Sequence, residues 1–225
     1  MKLSIVIPFY NEENMIQKMY NALVKEINQI TQAEFELIFI NDGSKDRTFE
    51  KMLAIADADS RVKYISFSRN FGKEAGTIAG LEYATGEAVI LMDGDLQHPP
   101  ALLPKMIMAY QEGYDVVSAR RTRTGEKPHR TFLAKHFYKL ANKMMDIELM
   151  DGVSEFRLFS RKAVRAILSL QEYNRFSKGI FSWIGFKEKV IEYENQVRTV
   201  GETKYSLRFS LNYAIQGILS FNDKP

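Results

Sequence analysis

Short apolar runs alternate with stretches of helical spacing through the first half of the chain. Leu3–Ile7 is apolar and rich in β-branched residues, and Asn11–Ile30 follows with Met15, Met19, Leu23 and Ile27 one helical turn apart. The same pattern predicts strands over Phe35–Ile40, Val62–Phe67, Ala88–Met92 and Val116–Ala119. Helices are predicted between them over Asp46–Ala56, Lys73–Ala84 and Pro100–Gln111. Continuous apolar strands separated by helices predict an α/β fold with a mainly parallel sheet covered on both faces.

Beyond residue 120 the alternation stops. A basic amphipathic helix is predicted over Thr131–Asp146, a short strand over Phe156–Phe159 and a helix over Arg161–Leu170. Lys189–Tyr193 and Gln196–Val200 read as a hairpin turning at Glu194-Asn195, and Leu207–Phe221 as a final amphipathic helix. No internal repeat, low-complexity tract or Pro/Gly linker interrupts the 225 residues, so a single domain is expected.

Composition adds exclusions. Hydrophobic residues make up 45% and charged residues 26%, as in an ordinary globular protein rather than a disordered one. The formal net charge of +3 gives no overall field of note, and no nucleic-acid partner is expected. Basic residues do cluster from Arg120 to Lys143, against the one acid Glu126; such a block is a solvated helix face, a phosphate site or a surface for anionic lipid. Without cysteine there is no disulfide, thiolate metal site or thiol nucleophile. The N-terminal apolar run breaks at Pro8, unlike a signal peptide, and no run approaches the roughly 18 apolar residues of a membrane span.

In a parallel sheet, ligands bind beyond the carboxyl ends of the strands. Pro8, Tyr10, Asn11 and Glu12 follow the first strand, Asn41-Asp42-Gly43-Ser44 the second and Asp93-Gly94-Asp95 the fourth. Taken singly, Asn-Asp-Gly-Ser is turn chemistry and Asp46 a helix N-cap. Three such clusters at one edge favour a site. Carboxylates at i and i+2 on a strand end can share a hard divalent cation, which takes its remaining ligands from substrate phosphates. Gly94 would let backbone and ligand approach each other.

The segments SIVIPFYNEE, FINDGSKDRT, SFSRNFGKEAG, ILMDGDLQHPP and VGETKYS resemble the family 2 glycosyltransferases of GT-A fold. Within that family they are most similar to bacterial polyprenyl-phosphate (bactoprenol) glucosyl and N-acetylglucosaminyl transferases. The resemblance implies a Rossmann-like sheet and a UDP-sugar donor. It also implies Mg²⁺ or Mn²⁺, a polyprenyl phosphate acceptor, inversion at the anomeric carbon, and a place at the cytoplasmic face of the cell membrane. On it, residues 1–120 form the nucleotide-sugar part, 121–205 the acceptor part and 206–221 an interfacial helix.

By position, the resemblance gives Pro8, Tyr10, Glu12 and Asp42 the nucleoside and places Lys73 near the donor. Asp93 would contact the donor sugar or ribose, Asp95 would be the main metal ligand with Asp93 beside it, and Gln97 would face the transferring sugar. Arg120, Arg130, Arg198 and Lys204 would hold the acceptor phosphate; otherwise they form a solvated rim.

One departure matters. Where the family pattern reads Gly-Asp-Phe-Arg, this chain has Ser154-Glu155-Phe156-Arg157, and Glu155 stands at the position to which the resemblance gives the role of base. Ser154 is expected to restrict a backbone that glycine would leave free. A phosphate monoester with a second pKa of about 6 is already largely dianionic near neutral pH, so Glu155 is expected to position rather than deprotonate. The other readings are a polyprenyl-phosphate mannose synthase using a GDP-sugar, a sugar-nucleotide pyrophosphorylase and a weakened sugar-nucleotide-binding module. A homo-oligomer is left open. Leu207, Leu211, Ala214, Ile215 and Ile218 share one helical face, predicting either core packing or membrane contact in a longer, membrane-anchored protein.

Overall fold

The computed structural model describes residues 1–122, 152–170 and 175–194. Strand β1 (Lys2–Phe9) is followed by α1 (Ile16–Ile27), β2 (Glu34–Asn41), α2 (Thr48–Ala58), β3 (Val62–Ser66), α3 (Lys73–Tyr83) and β4 (Ala88–Leu91). A 3-10 turn (Pro100–Leu102) leads into α4 (Leu103–Gln111). Then come β5 (Val116–Arg121), β6 (Val153–Ser160), α5 (Arg161–Ser169), α6 (Ser177–Trp183) and β7 (Glu188–Tyr193). The basic helix predicted over Thr131–Asp146, the second hairpin arm Gln196–Val200 and the helix Leu207–Phe221 lie outside the described residues.

The described strands form one sheet in the order β3-β2-β1-β4-β6-β5-β7. β6 runs antiparallel to both β4 and β5, while the other pairings are parallel. The first hairpin arm is β7, and its described partner is β5, alongside which it runs parallel.

Strand alternation sorts the core into two layers. Leu3, Ile5, Ile7 and Phe9 of β1 pack with Met19, Leu23 and Ile27 of α1, Met52 of α2, and Met106 of α4 on one face. On the other face Val6, Ile38 and Val89 meet Leu81 of α3, Val164 of α5, and Ile180 and Phe181 of α6. Each such fully buried side chain contributes about 1.5–3 kcal/mol. The result is a helix–sheet–helix sandwich, with the edge strand β3 exposing Lys63 and Tyr64.

At the edge away from the strand-end clusters, Glu36 is buried in a polar knot. Ser4, its neighbour in register on β1, donates to its carboxylate at 2.5 Å, the Thr85 amide at 2.6 Å and Lys63 at 3.0 Å. Burial pushes this carboxyl up, but those donors outweigh it and hold it at about 2, below the ordinary 4.5. A depressed folded-state value gives stability that is complete above 4.5 and lost as pH falls toward 2. On the order of 3 kcal/mol is expected to disappear across that window. Urea melts at pH 7 and pH 3 of the wild type and Glu36→Gln check this: the difference between the two proteins should shrink at low pH.

Candidate active site

The first two strand-end turns are laced together. Asn11, at φ 51°, donates its amide to Ser44 Oγ at 3.0 Å and accepts the Lys45 amide on Oδ1 at 2.8 Å. The Glu12 amide donates to Thr48 Oγ1 at 2.8 Å, and the Glu13 amide to Asp46 at 3.1 Å. These bonds hold residues that pattern alone assigned to the start of a helix, so α1 begins only at Ile16. Asp46 also accepts the Thr48 amide at 3.0 Å and so caps α2 from just outside its end.

Asp42 is buried, and its carboxylate accepts the amides of Phe71 at 2.7 Å and Gly72 at 3.0 Å. The residue expected to hold a nucleoside therefore anchors the loop between β3 and α3. Burial raises its pKa, and the two amides offset this only in part. Gly43, at φ 63°, lies against the same loop: a Cβ there would come within 2.2 Å of the Arg69 carbonyl carbon.

The third cluster shows why the antiparallel strand matters. Leu91 of β4 stands opposite Arg157 of β6, so antiparallel register carries residue 155 level with residue 93. Lys73, the first residue of α3, bridges them: its ammonium pairs with Asp93 and lies 2.7 Å from Glu155. Burial works against the Lys73 charge, but the two carboxylates hold its pKa well above the usual lysine range. Burial likewise opposes ionisation of Asp93, and Lys73 with His98 holds its carboxyl far below the usual range.

Two cationic or N–H partners already occupy the oxygens of Asp93, because His98 Nε2 lies 3.1 Å from the second one. That makes Asp93 a poor cation ligand in this arrangement. Asp95 sits two residues further on, with Oδ1 accepting the Gln97 amide at 3.1 Å, and Leu96, between Asp95 and Gln97, takes φ 59°. Strained backbone of this kind concentrates where a turn must aim side chains at a ligand. Among the described residues no three His, Asp or Glu side chains form a metal cage. Mg²⁺ and Mn²⁺ need no such cage when substrate phosphates complete the shell, so a carboxylate at this turn fits them.

Gly94 does allow a close approach, but to the Phe9 ring rather than to a ligand. A Cβ at this position would lie 2.4 Å from Phe9 Cε1. Gly94→Ala is therefore expected to cost about 1–3 kcal/mol by overpacking and to tilt the turn. Thermal melts with Phe9→Leu as the relieving second change would read this.

Ser154 turns out to lie in the extended part of β6. Its hydroxyl donates to the Ala119 carbonyl at 3.0 Å, at a shift of register between β5 and β6, so it stitches a bulge. The left-handed position is Gly152, at φ 75°. Arg120, near the end of β5, forms an exposed ion pair with Glu192. Pro8, Tyr10 and Glu12 stand partly buried at the end of β1. Arg130, Arg198 and Lys204 lie outside the described residues.

A comparison with protein families matches residues 4–168 to glycosyl transferase family 2. The chain belongs to glycosyl transferase family 2. It is 51% identical over 223 residues to the putative glycosyltransferase CsbB of Bacillus subtilis (strain 168), a match covering 99% of this chain and 68% of that one. It is 42% identical over 226 residues to the prophage bactoprenol glucosyl transferase homolog of Escherichia coli (strain K12), covering 100% of this chain and 74% of that one. This glycosyltransferase thus spans about two thirds to three quarters of the relatives' length.

Among solved structures, the mannosyltransferase PcManGT from Pyrobaculum calidifontis in complex with GDP-Man and Mn²⁺ superposes with a TM-score of 0.68 at 15% identity. That match covers 99% of this chain and 65% of the other. The glucosyl-3-phosphoglycerate synthase from Mycobacterium tuberculosis in complex with Mn²⁺ and UDP-glucose gives 0.60 at 18%, over 100% and 80% of the two chains. These likenesses show that the family 2 glycosyltransferase has the GT-A fold.

Two residues of the cluster were not singled out by sequence: His98 and Tyr193. His98 Nδ1 lies 2.8 Å from the Tyr193 hydroxyl, at the far end of β7. A histidine in a polar turn was the one visible signal; the tyrosine read only as a strand aromatic. Glu74 was also missed. Beside Lys73, its carboxylate accepts the Ser177 amide at 3.3 Å and also the Ser177 hydroxyl, tying α6 to α3.

Proposed function

We propose that this glycosyltransferase moves glucose or N-acetylglucosamine from a UDP-sugar to polyprenyl phosphate, with inversion, at the cytoplasmic face of the membrane. The observation that carries the reading is the level alignment of Asp93 and Glu155 across Lys73, two residues along the chain from Asp95. The names of the bactoprenol relatives at 42% identity support the acceptor, and the Mn²⁺ and UDP-glucose complexes of the fold neighbours support the donor side.

In this reading an acceptor phosphate oxygen attacks the anomeric carbon while the bond to the UDP oxygen breaks. The electron pair leaves with the diphosphate. A divalent ion held by Asp95 would supply counter-charge to that leaving group. Asp93 orients the donor, its direction set by Lys73 and His98. Because Lys73 lies 2.7 Å from it, Glu155 serves to fix the acceptor side of the site, and the dianionic phosphate supplies its own nucleophile. Asp42, Tyr10 and Glu12 frame the nucleoside end. Arg120 is released from its exposed pair with Glu192 for the acceptor phosphate at little cost, since such pairs contribute about 0–1 kcal/mol. Arg130, Arg198 and Lys204 are proposed to complete that phosphate site.

The test is a donor panel of UDP-glucose, UDP-N-acetylglucosamine and GDP-mannose against undecaprenyl phosphate with Mg²⁺ or Mn²⁺, with the lipid product identified by mass. A product from GDP-mannose alone, or none with any donor, overturns the proposal. Among the described residues no helix is long and apolar enough to cross a membrane. The basic stretch 131–143 and the apolar face of 207–221 are proposed to bring the site to the lipid. Co-sedimentation with anionic vesicles at low and high salt separates charge attraction from apolar insertion.

A further inference from the structure

We propose that His98 and Tyr193 form a positioning relay behind Asp93: the Tyr193 hydroxyl fixes the His98 ring, and the ring's Nε2–H holds the Asp93 carboxylate in its working direction. The inference rests on the donor role proposed for Asp93 and adds residues that neither the family match nor the relatives' names assign.

The direction of each bond follows from chemistry. An ionised carboxylate only accepts, so the 3.1 Å contact places the proton on His98 Nε2. In the neutral ring Nδ1 is then the acceptor, and Tyr193 donates to it across 2.8 Å. Burial pushes the Tyr193 phenol above its ordinary value of 10, against lowering contributions from Ser154 and Arg121, so the donor proton is retained. The His98 ring is itself buried, with Phe156 at 5.7 Å on one side and the Tyr193 ring edge-on at 6.1 Å. Filling that space needs no nitrogen. A ring with both nitrogens committed, buried at the end of a catalytic turn, is a way of aiming a carboxylate.

The connection also crosses the fold. Lys73 reaches Asp93 from the helix layer that holds α3, whereas Phe156 and Tyr193 belong to the opposite core layer. Asp93 is therefore clamped from both sides of the sheet, one oxygen to each. Tyr193 is the last residue of β7, and its carbonyl accepts the Thr122 amide at 2.9 Å at the end of β5. The stretch that follows carries Arg198 and Lys204. The relay thus ties the donor carboxylate to the strand from which the proposed acceptor-binding segment departs.

The experiment uses the whole chain and four variants: Tyr193→Phe, His98→Ala, His98→Gln and the double His98→Ala/Tyr193→Phe. UDP affinity with Mn²⁺ is measured calorimetrically, and the ¹⁵N shifts of the His98 ring by NMR. Losing such outer partners typically weakens binding or activity about 10–100-fold. Tyr193→Phe is expected near the low end and His98→Ala near the high end. His98→Gln should recover most of the loss, because its carboxamide N–H takes the place of Nε2–H. The double variant should be no worse than His98→Ala alone, as links in one chain are not additive. Additive losses, or a glutamine no better than alanine, overturn the relay and leave ring packing. If the wild type does not bind UDP, the donor reading fails, and the NMR arm still decides the relay. A protonated Nε2 and an Nδ1 shift that moves on Tyr193→Phe support it; an Nδ1 shift indifferent to that change overturns it.

Discussion

Asp95→Ala is expected to lower turnover by about 10²–10³, the usual effect of removing one well-placed electrostatic stabiliser from a developing charge. The expectation is sharper for Asp95 than for Asp93 because of their partners. Asp93 is already paired with Lys73 and lies 3.1 Å from His98 Nε2, so a cation near it meets two positive or N–H neighbours. Asp95 lies beyond that pair, on a turn aimed by Leu96 at φ 59°. In the reading proposed here it is the carboxylate that holds Mg²⁺ or Mn²⁺ against the leaving diphosphate. Excess EDTA should reproduce the loss in the wild type and add little to it in Asp95→Ala. Steady-state UDP release at saturating donor, with and without chelator, checks both. Full turnover in EDTA would remove the metal from the mechanism.

The front half of this architecture was legible because its strands are buried on both faces and its helices are periodic. Ala88–Met92 matches β4 to within one residue and Leu3–Ile7 lies inside the longer β1, and the strand-end rule located the carboxylates. What stayed hidden depends on contacts distant in sequence. Val153–Ser160 mixes Ser154, Glu155 and a buried Arg157 with apolar residues, so no period marks its full length, and nothing local says that it runs antiparallel between β4 and β5. Yet that direction is what brings Glu155 level with Asp93 and beside Lys73. Asp42 stands after β2 at the same edge, and its carboxylate accepts the Phe71 and Gly72 amides from a loop far away in sequence. A carboxylate's position in a motif shows that it is needed at that edge; only three-dimensional packing shows which donors it takes.

Lys73→Ala is expected to be the most damaging single change to stability in the site, at about 3 kcal/mol. The Lys73 side chain is 32% exposed, and its ammonium stands between the carboxylates of Asp93 and Glu155. Removing one partner of a buried pair leaves charge uncompensated, which costs roughly 3–5 kcal/mol, and partial exposure places this case at the lower end. Here two carboxylates are left facing each other, with His98 beside only one of them. The strain is therefore electrostatic rather than a cavity, and it has a specific remedy. Glu155→Gln keeps the shape and deletes one of the two charges, so the double variant Lys73→Ala/Glu155→Gln should be more stable than Lys73→Ala alone. In the wild-type background the same Glu155→Gln should destabilise, because it strips Lys73 of a partner. A change of sign for one substitution between two backgrounds is a signature of direct charge coupling. Urea melts of the four proteins near neutral pH measure it. Glu155→Gln should also reduce turnover less than Asp95→Ala, since the acceptor phosphate brings its own negative charge. Equal loss of turnover in Glu155→Gln and Asp95→Ala would make Glu155 a true general base, and equal destabilisation by Glu155→Gln in both backgrounds would remove Lys73 as the bridge.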